Sequence, residues 1–488
     1  MALKMASKGK GKGKQVDNRF VSEKAWQCYE GAIKRKDKGF IAKCGLTTAH
    51  AEAWSRGRKW DIFMSEPEDL AIEPIVREFY ANFPECDSGH VYVRGIDVSI
   101  DAKVVNDFYR IDPIDRDEYM EFKKKLIKEE EILKIQTKDG YLLGLQRVSS
   151  RNANLRVGRG PPVLLLHGLF MGGDAWFLDS LEESLGFVLA DHGFDVWVGN
   201  VRGTRWSHGH ISLSENNKDF WDWSWQELAL YDAAEMIHTV NMITSSKIFI
   251  VGHSQGTIIT LAALTQLDIV KMVEAAALLS PITYLEHISA PLVLRMVAVH
   301  LDQMIFAMGL HQVNFRSNVL ISLVDSLCDG HLDCNDLLTT ITGKNCCFNN
   351  SRVDFYLEYE PHPSSAKNMR HLFQMIRKGT FSLYNYGIFK NLKLYGQTKP
   401  PAFDLSRIPK SLPLWMCYGG NDALADVTDV QHTLKELQST PELLYLENYG
   451  HMDFILSIKA KEDFHNHMIA FFRMQDQASH FDKSEKLV

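Results

Sequence analysis

The chain has 488 residues, 45% of them hydrophobic and 24% charged, which supplies a sizeable core and excludes wholesale disorder. That length exceeds one ordinary domain and points to two or more units. A formal net charge of -7 gives no general attraction to nucleic acid or to anionic membranes, so a nucleic-acid partner is not expected.

Residues 1–47 read as a basic, flexible tail and linker. The opening MALKMASKGKGKGK carries only lysine charges in a Lys/Gly alternation, and no apolar stretch of signal-peptide type follows it. The compartment is therefore left open. Residues 48–122 form a polar, aromatic segment expected to be a small separate α+β unit. Ile75 to Phe83 suits a short helix, and Val91-Tyr92-Val93 with Ile96-Asp97-Val98 suits a hairpin around Arg94-Gly95. No catalytic constellation emerges there. The charged run from Glu121 to Glu131 reads as a linker or a solvated helix.

From Ile132 the pattern changes. ILKIQTKDGYLLGLQRV places two alternating apolar runs around Asp139-Gly140, a hairpin signal. Apolar runs of strand length then recur between helical patterns: Pro162–Leu166, Phe194–Val198, Lys247–Val251, Leu412–Tyr418 and Leu443–Glu447. Runs apolar on both faces predict a mostly parallel central sheet covered by helices, an α/β fold. The core is expected in two parts, residues 123–281 and 406–475, with a helical insertion at 282–405 and a tail at 476–488. Within the insertion, Pro291 to Leu310 is long and apolar but interrupted by Arg295, His300 and Asp302. That argues against a membrane span and for amphipathic or buried helix. Of eight cysteines, Cys328, Cys334, Cys346 and Cys347 cluster, and an oxidising compartment would allow a local disulfide there. Asn349-Asn350-Ser351 is a glycosylation sequon.

Gly252-His253-Ser254-Gln255-Gly256 is a G-x-S-x-G motif, weak alone. KIFIV before it and TIITLAALTQL after it supply the strand–turn–helix setting of a nucleophile elbow. A serine hydroxyl needs a base, and the base needs an orienting acid. In this fold the order is serine, acid, histidine, each beyond a strand end. Asp422 follows the strand ending at Tyr418, and His451 follows the last one. Asp426 and Asp429 are rival acids further from the strand end. His432, His465 and His467 lie in helical text and are expected at the surface. The oxyanion hole is expected from the amides of Gln255 and Leu169, with His167 ordering the loop that bears Leu169.

HGLF at 167–170, DVWVGNVRGTRWSHGH at 195–210, FWDWSWQELALYD at 220–232, GHSQGT at 252–257, GGNDALAD at 419–426 and GHMDF around His451 resemble the acid lipase family over residues 132–474. That family includes gastric and lysosomal lipases and plant triacylglycerol lipase-like proteins. The resemblance implies an α/β-hydrolase fold whose 282–405 insertion is a cap and lid. It implies catalytic Ser254, Asp422 and His451, and oxyanion amides at Leu169 and Gln255. It further implies hydrolysis of lipid esters such as triacylglycerols or steryl esters at a lipid–water interface, with no metal or other cofactor. The family is usually secreted, lysosomal or vacuolar. Residues 58–111 resemble a plant transposon protein domain instead, a junction that fits either a true fusion or a gene-model artefact. Two other functions fit the same residues: a short-chain carboxylesterase or acyltransferase, and an inactive hydrolase fused to a mobile-element-derived interaction module. Oligomeric state is not indicated.

Overall fold

A computed structural model of the chain describes residues 90–93, 96–99, 132–148, 160–317, 337–349, 356–357 and 359–485. The chain divides into two units, Met1–Leu126 and Ile127–Val488, four residues beyond the junction expected from composition. In the first unit, β1 (His90–Val93) and β2 (Ile96–Ser99) pair antiparallel with Val93 opposite Ile96, the expected hairpin. The basic arm, the 75–83 helix, the 121–131 run, Cys328, Cys334 and Ser351 lie outside the described residues.

The second unit contains β3 (Leu133–Gln136), β4 (Tyr141–Val148), β5 (Pro162–Leu166), β6 (Asp195–Gly199), β7 (Gly209–His210), β8 (Ile248–His253), β9 (Val273–Leu279), β10 (Gln312–Val313), β11 (Ser364–Ser365), β12 (Leu414–Gly419) and β13 (Glu442–Leu446). Nine of them form one sheet in the order β13-β12-β9-β8-β5-β6-β4-β3, with β7 paired on β4. Along this sheet the pairs β13-β12, β12-β9, β9-β8, β8-β5 and β5-β6 are parallel, while β4 runs antiparallel to β3, β6 and β7; β10 and β11 form a separate antiparallel pair. This is the α/β-hydrolase architecture expected from the sequence.

The side-chain period of two splits these strands between two cores. Leu164, Leu166, Trp197, Ile248 and Ile250 face one layer, packed by helix Gln255–Leu264. Val163, Leu165, Val196, Val198, Phe249 and Val251 face the other, packed by Phe471 and Phe472 of helix Asn466–Glu485. Burial on both faces is why these runs read as continuously apolar. The β9 run, VEAAALL, escaped the sequence reading because its alanines favour helix as readily as strand.

The insertion carries helices Pro291–Ala298, Leu301–Ala307, Leu337–Thr342, Ala366–Lys378 and Ile388–Tyr395. The apolar run 291–310 is two short helices separated at His300 (φ 54°), and among the described residues no helix is long and apolar enough to cross a membrane. Leu292, Met296, Leu301, Ile305, Met369 and Phe373 form a third core of its own. At the other end, the last helix runs from Asn466 to Glu485.

Candidate active site

Ser254 sits at φ 54°, ψ -120°, between β8 and helix Gln255–Leu264, a backbone conformation that L residues rarely hold. The flanking glycines make the turn possible. A Cβ on Gly256 would lie 2.2 Å from the Leu166 carbonyl oxygen, and one on Gly252 would lie 2.7 Å from the Gly256 oxygen. The strand-to-helix turn is therefore closed to larger residues, and the serine is lifted to the C-terminal end of the sheet.

Asp422 follows β12, and His451 follows β13. Both carboxylate oxygens of Asp422 lie within hydrogen-bond reach of His451 Nδ1, at 3.0 and 2.9 Å. Nδ1–H donates to the acid, which leaves the Nε2 lone pair free to take a proton. Asp422 also accepts from the backbone N–H of Leu424 (2.9 Å) and Ala425 (2.8 Å). Burial favours its protonated form. The His451 charge and these hydrogen bonds outweigh burial and hold the carboxyl below its usual range. The rival acids are engaged elsewhere: Asp426 caps helix Val427–Glu436, and Asp429 pairs with His287 at 2.7 Å.

His253, the residue before the serine, reaches the histidine loop. Its Nε2 donates to the His451 carbonyl at 3.0 Å, and the two rings lie 5.0 Å apart. Burial pushes its pKa down to about 3, so this link is a neutral imidazole. His167 does order its loop: Val201 N–H donates to its Nε2 (3.2 Å), and its Nδ1 donates to the Gly168 carbonyl (2.9 Å). A Cβ on Gly168 would stand 3.1 Å from Ser254 Cβ, which places the Leu169 loop beside the serine. Neither the Leu169 nor the Gln255 N–H has an acceptor among the described residues, as expected at the first turn of a helix and an open loop.

Three supports were invisible in the sequence. Asn368 exchanges amide hydrogen bonds with the Gln255 side chain (3.1 and 3.3 Å), linking the insertion to the residue after the serine. The Thr342 carbonyl accepts from His451 N (3.2 Å) and Ala423 N (3.4 Å), bridging both loops. Asp453 accepts from Gly450 N (2.7 Å), Cys346 N (2.9 Å) and Cys347 N (3.1 Å), while Asn345 accepts from Met452 N (3.0 Å). Cys346 and Cys347 are joined to each other as a disulfide.

Two other expectations need correction. His465 is buried, not at the surface, because it lies on the side of its helix that packs on the second core; burial lowers its pKa to about 3. His432 is half-buried and stacks on Tyr284 with ring centroids 3.8 Å apart.

Two clusters have metal-ligand residue types. Asp174, Glu360 and His362 converge with donor atoms within 4.8 Å. Arg205 N–H donates to His362 Nδ1 (3.3 Å), however, so His362 Nε2 carries the proton and donates to Asp174 (3.1 Å). A metal would require that lone pair. Around Asp453, the two sulfurs are bonded to each other rather than offered as thiolates, and the carboxylate is already saturated by N–H donors. Both groups are hydrogen-bond hubs that tie the insertion to the loops of the site.

Residues 161–457 match the family described as alpha/beta hydrolase fold, and residues 129–180 match a partial alpha/beta-hydrolase lipase region. Residues 56–153 match a plant retrotransposon-related domain. Among curated proteins, the chain is 68% identical to triacylglycerol lipase 1 of Arabidopsis thaliana over 71% of this chain and 87% of that protein. It is 39% identical to triacylglycerol lipase 2 of the same plant (70% and 83%) and 33% identical to gastric triacylglycerol lipase of Rattus norvegicus (68% and 86%). Among solved structures it is similar to a soluble variant of monoglyceride lipase from Saccharomyces cerevisiae, at TM-score 0.48 and 16% identity, covering 71% of this chain and 96% of that one.

Proposed function

Because this chain belongs to the alpha/beta hydrolase fold family and, within it, to the triacylglycerol lipases, we propose that Ser254, Asp422 and His451 carry its carboxylic ester hydrolase activity. The substrates are long-chain acyl esters of lipids, triacylglycerols or steryl esters. The Ser254 oxygen attacks the ester carbonyl carbon while its proton passes to His451 Nε2, and Asp422 holds the imidazole in the required tautomer. The N–H groups of Leu169 and Gln255 donate to the oxyanion, an arrangement that typically contributes several kcal/mol. Collapse expels the alcohol, which takes the proton from His451 and leaves an acyl ester on Ser254. Water then gives a proton to His451 and attacks that ester. The carboxylic acid leaves as Ser254 recovers its proton.

The observation that carries this reading is the two-oxygen contact of Asp422 with His451 Nδ1, on a loop tied by His253 to the serine. We read residues 282–405 as the cap, with flexible apolar side chains such as Met296 and Met369 suited to long acyl chains. The test is ester hydrolysis profiled against chain length, from soluble short esters to emulsified triglyceride, with Ser254→Ala and fluorophosphonate labelling alongside. Turnover rising toward long chains, with loss of both turnover and labelling in the folded Ala variant, is expected. Full labelling of Ser254→Ala overturns the assignment of the nucleophile. Activity confined to short soluble esters overturns the lipid substrate.

A further inference from the structure

Helix Ile388–Tyr395, IFKNLKLY, has its polarity reversed for a helix in water. Its buried residue is Asn391, whose amide donates to Asn385 Oδ1 (2.8 Å) and to the Thr398 carbonyl (2.9 Å) and accepts from Tyr386 N (2.9 Å). Tyr395 adds a bond from its hydroxyl to the Tyr384 carbonyl (2.9 Å). The helix is thus anchored by polar contacts on its inner side. Beside the exposed Lys390 and Lys393 it turns four large apolar side chains to solvent: Ile388 63%, Phe389 90%, Leu392 53% and Leu394 52% accessible. Ile388, Leu392 and Phe389 fall within about 100° of the helix surface, with Lys393 and Lys390 beyond them. Scattered exposed apolar residues are ordinary, but four on eight residues with the polar side turned inward are not.

The charge around the helix identifies the occupant. From Ser382 to Phe403 the chain carries Lys390, Lys393 and Lys399 and no Asp or Glu, although the whole molecule is net negative. A second copy of the chain docked on this face by a two-fold axis would bring lysine against lysine. An anionic lipid surface satisfies both halves of the pattern: apolar side chains enter the acyl boundary, and lysines meet the head groups. Eight residues span about 12 Å, enough to lie in an interface and too short to cross a bilayer.

We propose that the outward face of helix Ile388–Tyr395, with Ile388, Phe389 and Leu392 flanked by Lys390 and Lys393, docks the protein on anionic lipid surfaces. The proposal deepens the lipase reading and rests on it for its biological sense, but none of these residues belongs to the catalytic machinery. The experiment is flotation of the full chain with phosphatidylcholine vesicles, alone or mixed equally with phosphatidylglycerol. Wild type is compared with Phe389→Ser/Leu392→Ser and with Lys390→Glu/Lys393→Glu, and turnover of a soluble short ester is measured on each. Stronger flotation with the anionic mixture is expected, falling roughly tenfold or more in both double variants while soluble turnover stays unchanged. Equal flotation of wild type and variants, or none by wild type, overturns the proposal. So does a dimer of the wild type, detected by sedimentation, that Phe389→Ser/Leu392→Ser dissociates. Loss of soluble ester turnover in wild type with flotation intact would instead overturn the enzyme reading and leave the docking face standing.

Discussion

At Asp422 two opposing effects act on one carboxyl group: burial favours the neutral acid, and His451 with two backbone N–H groups favours the anion. The balance lies with the anion, the form that accepts the Nδ1–H of His451 and so fixes the tautomer of the ring. A carboxylate held low contributes stability above its unfolded value, and that stability is lost as pH falls through the lower folded value. Asn at this position can still accept from Leu424 and Ala425, but presents the imidazole with the wrong partner. Asp422→Asn is therefore expected to fold and to lose about 10⁴-fold in turnover. Turnover of soluble ester beside a circular dichroism spectrum checks this; retained activity would move the acid role to Asp426 or Asp429.

Glu360 shows the opposite balance. Burial, then repulsion from Asp174, pushes its carboxyl well above the usual range against the Gly172 N–H and the Arg205 and Arg316 guanidiniums. Asp174 is held low: His362 and Arg205 outweigh its burial. Folded protein thus keeps a proton on Glu360 that the unfolded chain releases in the ordinary glutamate range. The associated stability is present below that range and is lost as pH rises through the raised value. Glu360→Gln, permanently neutral, should remove this slope. Thermal midpoints of both proteins across pH are the check, with wild type losing ground to the variant as pH rises. A constant difference would show that Glu360 does not titrate in that window.

The loops of the site are held by elements far from them in sequence. Asp453 gathers Gly450, Cys346 and Cys347 amides, so the turn carrying His451 is fixed by the insertion rather than by β13. Asp453→Ala would leave three N–H groups without their acceptor, each costing about 1–3 kcal/mol where water does not replace it. A lower thermal midpoint is expected, together with a fall in kcat larger than any change in KM, because the base is displaced more than the ester-binding surface. Steady-state kinetics on a soluble ester separates the two; unchanged kcat at full folding would show that the His451 turn holds itself.

These ties explain what was legible beforehand. Ser254, Asp422 and His451 each follow an apolar run and a glycine, marks that local sequence carries. Asn368, Thr342 and Asp453 act across 113, 109 and 107 residues through an amide pair, a carbonyl and a carboxylate, and nothing in their neighbourhood announces the partner. The same holds for His465: helical text reveals a helix, but which side is buried depends on the sheet it meets. Strand β9 was lost for a different reason, since alanine leaves the choice between helix and strand to tertiary packing.

At the scale of the molecule, all the candidate site residues and the nine-stranded sheet come from residues 132–485 among those described. Where the first unit can be cut away is a question of packing. The retrotransposon-related match continues to residue 153, through β3 and β4. Those strands belong physically to the hydrolase sheet. β4 closes the edge of β6, with Leu145 opposite Gly199, and Leu143 and Leu145 are fully buried. Asp139 in their turn binds buried Arg202 at 2.6 Å, and the Tyr141 ring lies 3.8 Å beneath its guanidinium. Removing residues 1–126 is expected to leave turnover and thermal midpoint nearly unchanged. Removing residues 1–153 takes away Ile135, Tyr141, Leu143 and Leu145 from the core. At about 1.5–3 kcal/mol for each large apolar side chain, that loss alone is comparable to the whole stability of a typical domain. It also leaves Arg202 with Asp232 alone and exposes the edge of β6 to pairing with other chains. The longer truncation should therefore be insoluble or inactive while the shorter one works. Expression, thermal melts and soluble-ester turnover of both truncations provide the comparison. If the shorter one also collapses, the first unit contributes to the fold of the second; if the longer one stays active, β3 and β4 are dispensable to the sheet.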